Sequence, residues 1–525
     1  MDINWIIDSP FELLPEGDPD ADALSIDGEP SLTYRQLRAL RDKWVAEFVA
    51  AGVVAGDRVG LLLLNSHDYV AAYFAIARIG AIAVRLNFRL TAPELQYIIG
   101  DSGCKVVLFH TSRAPQLEPI INDVPVELWI SVKDDDSATP WAQGSAATGP
   151  VAGIDLDGLP RPTGTDPLML MYTSGTTGRP KGVVWTNDNA LWLALIQASK
   201  WGYTRSTVSL TTGPLYHAGA FEDLLLPALF MHGKAIAMSS GGLTTKRIVD
   251  AIHDAGATHV LLYPFLLYDL LRDPTVRDEQ LATVRRFLTG GDPVLPWAIK
   301  AIEQRFPGVE LQQAYGLTEG GTMSTLLEHA DRFTHPESVG RPMPLTQVRT
   351  MRDDLTPALS GEVAEVWVRA PNVTAGYWNN PSATKETFVG GWCRTGDLGQ
   401  ITDDGFLVLV GRKKDMIRSG GENVYPVEVE AVLSTHEAVS GIAVVGVPDP
   451  EFLEVGCAVI VLADDWRHRN ESEVQSKLQA HARESLAGYK CPRHYVFIAE
   501  LPINGAGKVQ KHLLRQKYAA LGRRE

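Results

Sequence analysis

"PLMLMYTSGTTGRPKGVVWT", Pro167 to Thr186, is the stretch from which the rest of the chain is read. "PLMLMYT" reads as an apolar strand, and "KGVVWT" is strand-like too. A helix, "NDNALWLALIQASKW", begins only afterwards, so the loop between the runs joins two strands instead of capping a helix. Gly175, Gly178 and Gly182 let the backbone approach a ligand closely. Ser174, Thr176 and Thr177 add hydroxyl donors, and Lys181 adds a positive charge. Backbone N–H groups, hydroxyls and a lysine together suit a phosphate chain. The common phosphate loop, G-x-x-x-x-G-K-[ST], would need glycine at Pro180 and Ser or Thr at Gly182. The loop therefore reads as a phosphate holder outside the usual nucleotide-hydrolase fold. The bland reading of the same residues is a flexible Gly/Ser/Thr turn.

Outward from this loop, strand-like and helix-like segments alternate. "STVSLTTGP", "KAIAMSS", "THVLLYP", "VRRFLTGGDP" and "VELQQAYGLTE" read as strands. Between them, "GAFEDLLLPALFMHG", "TTKRIVDAIHDAGA", "PFLLYDLLRD" and "LPWAIKAIEQRF" read as helices, the second with Ile248, Ala251, Ile252 and Ala255 on one face. Such alternation predicts βαβ units and parallel sheets covered by helices, with ligands at the carboxyl ends of strands. Two glycine-rich ends, "TGGDP" and "AYGLTEGG", fall at such positions. After about Ser338 the pattern changes to hairpins, with a turn at Asp404-Gly405. A fresh α/β pattern follows "GRKKDMIRSGGENVYP", its first helix starting near Pro426. The boundary is expected at Arg412 to Lys414: a large domain over 1–411, a hinge at 412–414 and a small domain over 415–525. The segment "DDDSATPWAQGSAATGPVAG" reads as a low-complexity surface loop, and there are no internal repeats.

Totals narrow the function. At 525 residues the chain is too long for one compact core. Net charge is -15 and pI ≈ 5.4, which argues against non-specific binding to nucleic acid or anionic membranes. Cys104, Cys393, Cys457 and Cys491 make neither a metal motif nor a disulfide framework, so a reducing cytoplasm fits. The N-terminus lacks a signal-peptide pattern. The longest apolar run, "YVAAYFAIARIGAIAV", is interrupted by Arg78 and reads as a buried helix without integral membrane association.

Six motifs in order, "YTSGTTGRPKGV", "PLYHAGA", "YGLTE", "RTGDL", "GRKKDMIRSGGENVYPVEVE" and "PINGAGKVQK", make nearly the whole chain resemble the adenylate-forming superfamily, which includes AMP-forming acyl-CoA synthetases. The resemblance implies an α/β fold. Its large domain has two helix-covered, mostly parallel sheets plus a small β-barrel-like part, and a small mobile α+β domain follows. It implies ATP, Mg²⁺ and coenzyme A, a small carboxylic acid, and a monomer or homodimer. The chemistry is consistent. A carboxylate with a pKa of about 4–5, as in Asp and Glu, needs no base to become a nucleophile at neutral pH. What it needs are cations and N–H donors to approach the α-phosphate of ATP.

Carried over by resemblance, Ser174, Gly175, Thr176, Thr177 and Lys181 wrap the β- and γ-phosphates. Gly290, Gly291 and Asp292 form the adenine wall, Tyr315 lies against adenine, Ala314 and Gly316 belong to the nucleotide site, Thr318 reaches phosphate and Glu319 binds Mg²⁺. Asp397 and Arg412 meet the ribose. Lys508 is the catalytic lysine that bridges the carboxylate and the α-phosphate. Lys414 is the hinge, and Gly420 and Gly421 border the CoA channel. His217, Phe221, Gly316, Gly320, Gly321, Thr322 and Met323 form the acyl pocket, with His217 at its mouth. Each position also has an ordinary structural reading: a turn aspartate at Asp397, a surface lysine at Lys508, a structural histidine at His217.

Amino-acid activators of the superfamily place an aspartate in the "PLYHAGA" region, where Ala218, Gly219 and Ala220 carry no charge. The acid is therefore expected to be a fatty, aryl or arylpropenoic acid in a largely apolar pocket. A carrier protein as acceptor is the alternative to CoA, although no D-S-L-like attachment serine follows Lys508. "GDSG", Gly100 to Gly103, resembles a serine-protease nucleophile, but it follows the helix-like "APELQYII" and is set aside.

Overall fold

The computed structural model describes residues 1–13, 17–145, 156, 158–173, 179–290, 294–503 and 509–522. They form two compact units, Met1–Val348 with Trp367–Thr395, and Arg349–Val366 with Gly396–Glu525. The division passes through two strands, Ala364–Arg369 and Trp392–Ile401.

The first unit holds two sheets. In the eight-stranded sheet the order is Gly376–Tyr377, Lys181–Thr186, Pro167–Thr173, Ile82–Arg85, Arg58–Leu62, Val106–His110, Leu128–Val132 and Gln143–Gly144. Pro167–Thr173 runs parallel to Ile82–Arg85 and antiparallel to Lys181–Thr186. In the nine-stranded sheet six neighbouring strands are parallel: Glu310–Tyr315, Arg286–Gly290, His259–Leu261, Val208–Thr211, Lys234–Ala237 and Asp22–Ile26. One apolar core contains residues of both sheets and of the helix His67–Ile79. That helix is buried all round from Tyr69 to Ile79, which is why its sequence lacks a polar face.

The run from Tyr69 to Val84 is therefore not a single helix. Gly80 adopts φ +76, in the left-handed region that ends helices, and Ile82–Arg85 continues as a strand. Arg78 is buried because its guanidinium donates to the carbonyls of Leu156, Leu159 and Pro160. "GAFEDLLLPALF" also departs from one regular helix. A short turn, Ala218–Ala220, opens into a π-helical turn, Phe221–Leu225, before α-helix resumes at Leu226–Phe230. Trp141, in the segment read as a surface loop, stacks on Phe109 with ring centroids 5.1 Å apart. Ser102 of "GDSG" ends the helix Ala92–Ser102 and donates to the Ile98 carbonyl at 2.6 Å, a structural role.

In the second unit Leu453–Leu462 pairs antiparallel with Val439–Asp449 and parallel with His494–Ile498. Ile417–Ser419 and Glu422–Val424 extend this sheet. Helices Pro426–Leu433 and Glu471–Ser485 pack on one face, and Leu514 of the helix Lys511–Tyr518 packs on the other. Pro426 is the first residue of its helix, where its missing N–H costs nothing.

Candidate active site

The strands flanking the phosphate loop are held in register, with Thr173 opposite Lys181 and Tyr172 opposite Gly182. Ser174, Gly175, Thr176 and Thr177 lie outside the described residues. Both ends of the loop are tied to the helix Ala92–Ser102. The Tyr172 hydroxyl donates to Asp101 Oδ2 at 2.6 Å, and the Tyr97 hydroxyl donates to the Pro180 carbonyl at 3.1 Å. A Cβ at Gly182 would sit 3.0 Å from the Tyr172 ring, so the small residue is needed for this approach. The Lys181 ammonium lies 5.3 Å from the centre of the Tyr377 ring, in cation–π range.

The second sheet contributes from its strand ends. Gly290 pairs with Ala314 where Arg286–Gly290 and Glu310–Tyr315 finish side by side. Gly291 and Asp292, next along, lie outside the described residues. Tyr315 and Gly316 follow Ala314, and a side chain at Gly316 would overlap the Thr322 carbonyl. A turn over Thr318–Gly320 then presents Glu319. Its Oε1 accepts from the Thr173 hydroxyl at 2.9 Å and the Tyr377 hydroxyl at 3.0 Å. Its carbonyl accepts from the Thr374 backbone N–H at 3.2 Å and the Thr374 hydroxyl at 3.0 Å. Trp185 Nε1 donates to the Thr318 carbonyl at 3.2 Å, and the Thr318 hydroxyl lies 3.9 Å from Met171 Sδ. Thr318 and Glu319, which follow the strand Glu310–Tyr315, are thus brought together with Lys181 of the other sheet through Thr173 and Tyr377.

Glu319 Oε2 has no hydrogen-bond partner among the described residues, and these contain no cluster of three or more metal-ligating side chains. One available carboxylate oxygen suits Mg²⁺, which is commonly held by one or two carboxylates together with substrate phosphates.

On the acyl side, His217 caps the turn Ala218–Ala220, its Nδ1 accepting from the Gly219 N–H at 3.2 Å. Phe221 is wholly buried, edge-on to Tyr73 at 5.0 Å and below the Arg85 guanidinium. Gly320 lies against Leu317, where a Cβ would come within 2.6 Å of Cδ2. Gly321 has φ +81, and its carbonyl accepts from Asn372 Nδ2 at 2.9 Å. Thr322 has φ +64, rare for a β-branched residue, and Met323 is buried beside it.

Sequence reasoning stopped short of Asp223. Ala218, Gly219 and Ala220 indeed carry no charge, but Asp223 brings a buried carboxyl to Thr322. Its Oδ1 accepts from the Thr322 hydroxyl at 2.5 Å and from Gln197 Nε2 at 2.8 Å. Burial pushes this carboxyl up to about 7 against the opposing effect of those two bonds. Glu222, one residue earlier, is instead neutralised by Arg85 at 2.5 Å in a pair closed off from solvent.

In the second unit, antiparallel pairing places Asp397 directly opposite Arg412, and Arg412 Nε lies 2.6 Å from Asp397 Oδ1. Lys414 has an exposed side chain. Partial desolvation pushes its ammonium down, opposed by the neighbouring Asp415. Gly420 and Gly421 form the two-residue turn between paired Ser419 and Glu422, with φ +61 and +90. Lys508 lies outside the described residues, and Ile503 pairs with Val509 across its segment.

The family described as AMP-binding enzyme matches over residues 11–378, and its C-terminal domain over residues 428–508. The chain belongs to this AMP-binding enzyme family. It is 35% identical over 500 residues to the long-chain-fatty-acid–CoA ligase FadD13 of Mycobacterium tuberculosis, covering 94% of this chain and 95% of that protein. It is 34% identical over 495 residues to a feruloyl-CoA synthase of Amycolatopsis sp, covering 94% and 95%. Its fold matches ATP-bound MatB from Rhodopseudomonas palustris, with TM-score 0.86, 29% identity and 100% of each chain covered. It also matches the o-succinylbenzoate CoA synthetase of Bacillus subtilis in complex with the acyl-adenylate intermediate OSB-AMP, with TM-score 0.83, 28% identity and 98% of each chain covered.

As a member of this family the chain is an adenylate-forming enzyme that uses ATP, an acid–thiol ligase of the AMP-forming acyl-CoA synthetase type. Thr173 and Tyr377 are the partners of Glu319 that sequence reasoning missed. Thr173 sits inside the quoted loop motif, but nothing in "AGYW" signals that its tyrosine reaches back nearly sixty residues.

Proposed function

We propose that the chain condenses ATP with a fatty or aryl carboxylic acid to give an acyl-adenylate and pyrophosphate, and then transfers the acyl group to CoA with release of AMP. The observation that carries this reading is the Glu319 carboxylate, steadied by Thr173 and Tyr377 with the Lys181 ammonium beside that tyrosine. It is a fixed anion for Mg²⁺ next to a fixed cation for phosphate, the pairing phosphoryl chemistry requires. Mg²⁺, when bound, would neutralise phosphate charge. Thr318 would donate to phosphate, and Gly290, Gly291, Asp292, Ala314, Tyr315 and Gly316 would accommodate adenine. Asp397 would accept from the ribose hydroxyls, oriented by Arg412, and Lys508 would bring positive charge to the α-phosphate.

His217 would stand at the acyl entrance without acting as a base. A thiol with pKa near 8.5 already provides about a few per cent thiolate at neutral pH. Lys414 is the proposed hinge, and Gly420 and Gly421 the border of the CoA path. The four unpaired cysteines support a cytoplasmic enzyme, and among the described residues no helix is long and apolar enough to cross a membrane. A monomer or homodimer is expected.

Acid-dependent exchange of labelled pyrophosphate into ATP, with no CoA present, tests the reading. Exchange with at least one fatty or aryl acid is expected. Its absence across chain lengths and ring types would overturn the reading.

A further inference from the structure

Three unusual features of the fold meet at one carboxyl. Asp223 sits in the π-helical turn Phe221–Leu225, an irregularity common at functional sites. Its partner Thr322 holds a left-handed backbone that a β-branched residue rarely adopts, a strain that persists only when the surroundings enforce it. Its other partner, Gln197, is fully buried and its Oε1 has no hydrogen-bond partner among the described residues. Two adjacent acids are also treated differently. Glu222 is matched by Arg85, Tyr73 and a closed hydrogen-bond set, whereas Asp223 forms no ion pair among the described residues.

Among the described residues only Oδ1 of Asp223 is hydrogen-bonded, by Thr322 and Gln197. Oδ2 faces the backbone of Gly219, where an added Cβ would lie 3.7 Å from it and 3.2 Å from His217 Nδ1. A side chain at 219 would press on the His217 ring, so the position between the carboxyl and the histidine is held to glycine. A buried carboxyl without a cation is costly unless something else satisfies it.

We propose that Asp223 is a specificity-determining residue of the acyl pocket, whose free oxygen accepts a hydrogen bond from a hydroxyl or amine carried on the acid. The inference rests on the acyl-activating reading above and narrows its substrates from plain hydrocarbon acids to acids bearing a hydrogen-bond donor. Burial that holds the carboxyl near neutrality favours a neutral donor such as a hydroxyl, because the group is not wholly ionised at pH 7. A site built around such a bond discriminates strongly against analogues that lack the donor, since its own polar group is then left unpaired.

The test is adenylation by pyrophosphate exchange with acids matched in size: hydroxylated, aminated, methoxylated and unsubstituted aryl acids, and medium-chain acids with and without a hydroxyl. In the unaltered enzyme kcat/KM should favour the best donor-bearing acid over its unsubstituted counterpart by about 10²-fold or more. A hydroxyl preferred over an amine supports a neutral donor. In Asp223→Asn, which keeps size while replacing an acceptor by a donor, that ratio should collapse toward one and the methoxylated acid should gain relative to the hydroxylated one. Activation of acids with no donor preference in the unaltered enzyme overturns the proposal even if the variant fails to fold. So does a ratio unchanged in Asp223→Asn. Failure of every acid to support exchange overturns the acyl-activating reading instead, and this proposal with it.

Discussion

At the scale of single residues, Glu319 and Asp223 are two carboxyls with opposite environments. Glu319 accepts two hydroxyl bonds on one oxygen, and its other oxygen has no partner among the described residues. Replacing it by glutamine keeps the shape and removes the charge. Adenylation should fall by about 10²–10³, the scale of one electrostatic contact in a preorganised site. Pre-steady-state adenylate formation at limiting Mg²⁺ measures this, and an unchanged rate would remove Glu319 from the metal's path.

Asp223 predicts a pH effect on stability. Its carboxyl lies near 3.8 in the unfolded chain and about 7 in the folded protein, so between those values the folded state binds more protons. Its contribution is therefore favourable at low pH and is lost as pH rises through 7. Glu222, Tyr203 and Tyr263 are its titratable neighbours, with His217 across Gly219. Denaturant unfolding between pH 5 and 8 should show that part of the slope disappear in Asp223→Asn.

At the scale of elements, the buried pair between the strand Ile82–Arg85 and the π-helical turn is a structural tie. Arg85 also donates to the Tyr69 hydroxyl at 3.0 Å and the Leu215 carbonyl at 2.5 Å. Glu222→Ala would leave the guanidinium buried with its charge uncompensated, so a loss of about 3–5 kcal/mol is expected in denaturant unfolding. The turn Gly420–Gly421 offers a graded comparison. A Cβ at Gly420 would lie 2.8 Å from the Phe452 ring, while one at Gly421 meets nothing within 4 Å. Alanine at 421 should therefore cost about 1 kcal/mol, from backbone conformation alone, and alanine at 420 more.

Legibility also varied by element. The strands on either side of the phosphate loop were readable because short apolar runs border a cluster of glycines and hydroxyls. The helix His67–Ile79 and the strand after it merged into one apolar run, because burial on every side erases the periodicity that tells them apart. The π-helical turn was not legible at all. One extra residue per turn leaves no compositional mark, and with it went the reason to connect Asp223 to Thr322. Asp397 and Arg412, though individually suggested by resemblance, become a pair only through hairpin register.

At the scale of the molecule, the chain's family membership makes the chemistry two-step, and the proposed roles of the small domain separate along those steps. Lys508→Ala should cripple adenylate formation while still converting supplied acyl-adenylate and CoA to thioester. Gly421→Leu should retain adenylation and lose thioester formation. Equal slowing of both steps in both variants would mean that the substitutions act through general destabilisation.

The central claim, an AMP-forming ligase working through an acyl-adenylate, is tested most directly by product stoichiometry in a complete turnover with ATP, CoA and a free carboxylic acid that supports pyrophosphate exchange. AMP, pyrophosphate and acyl-CoA should appear in equal amounts. ADP and inorganic phosphate in their place would contradict the account.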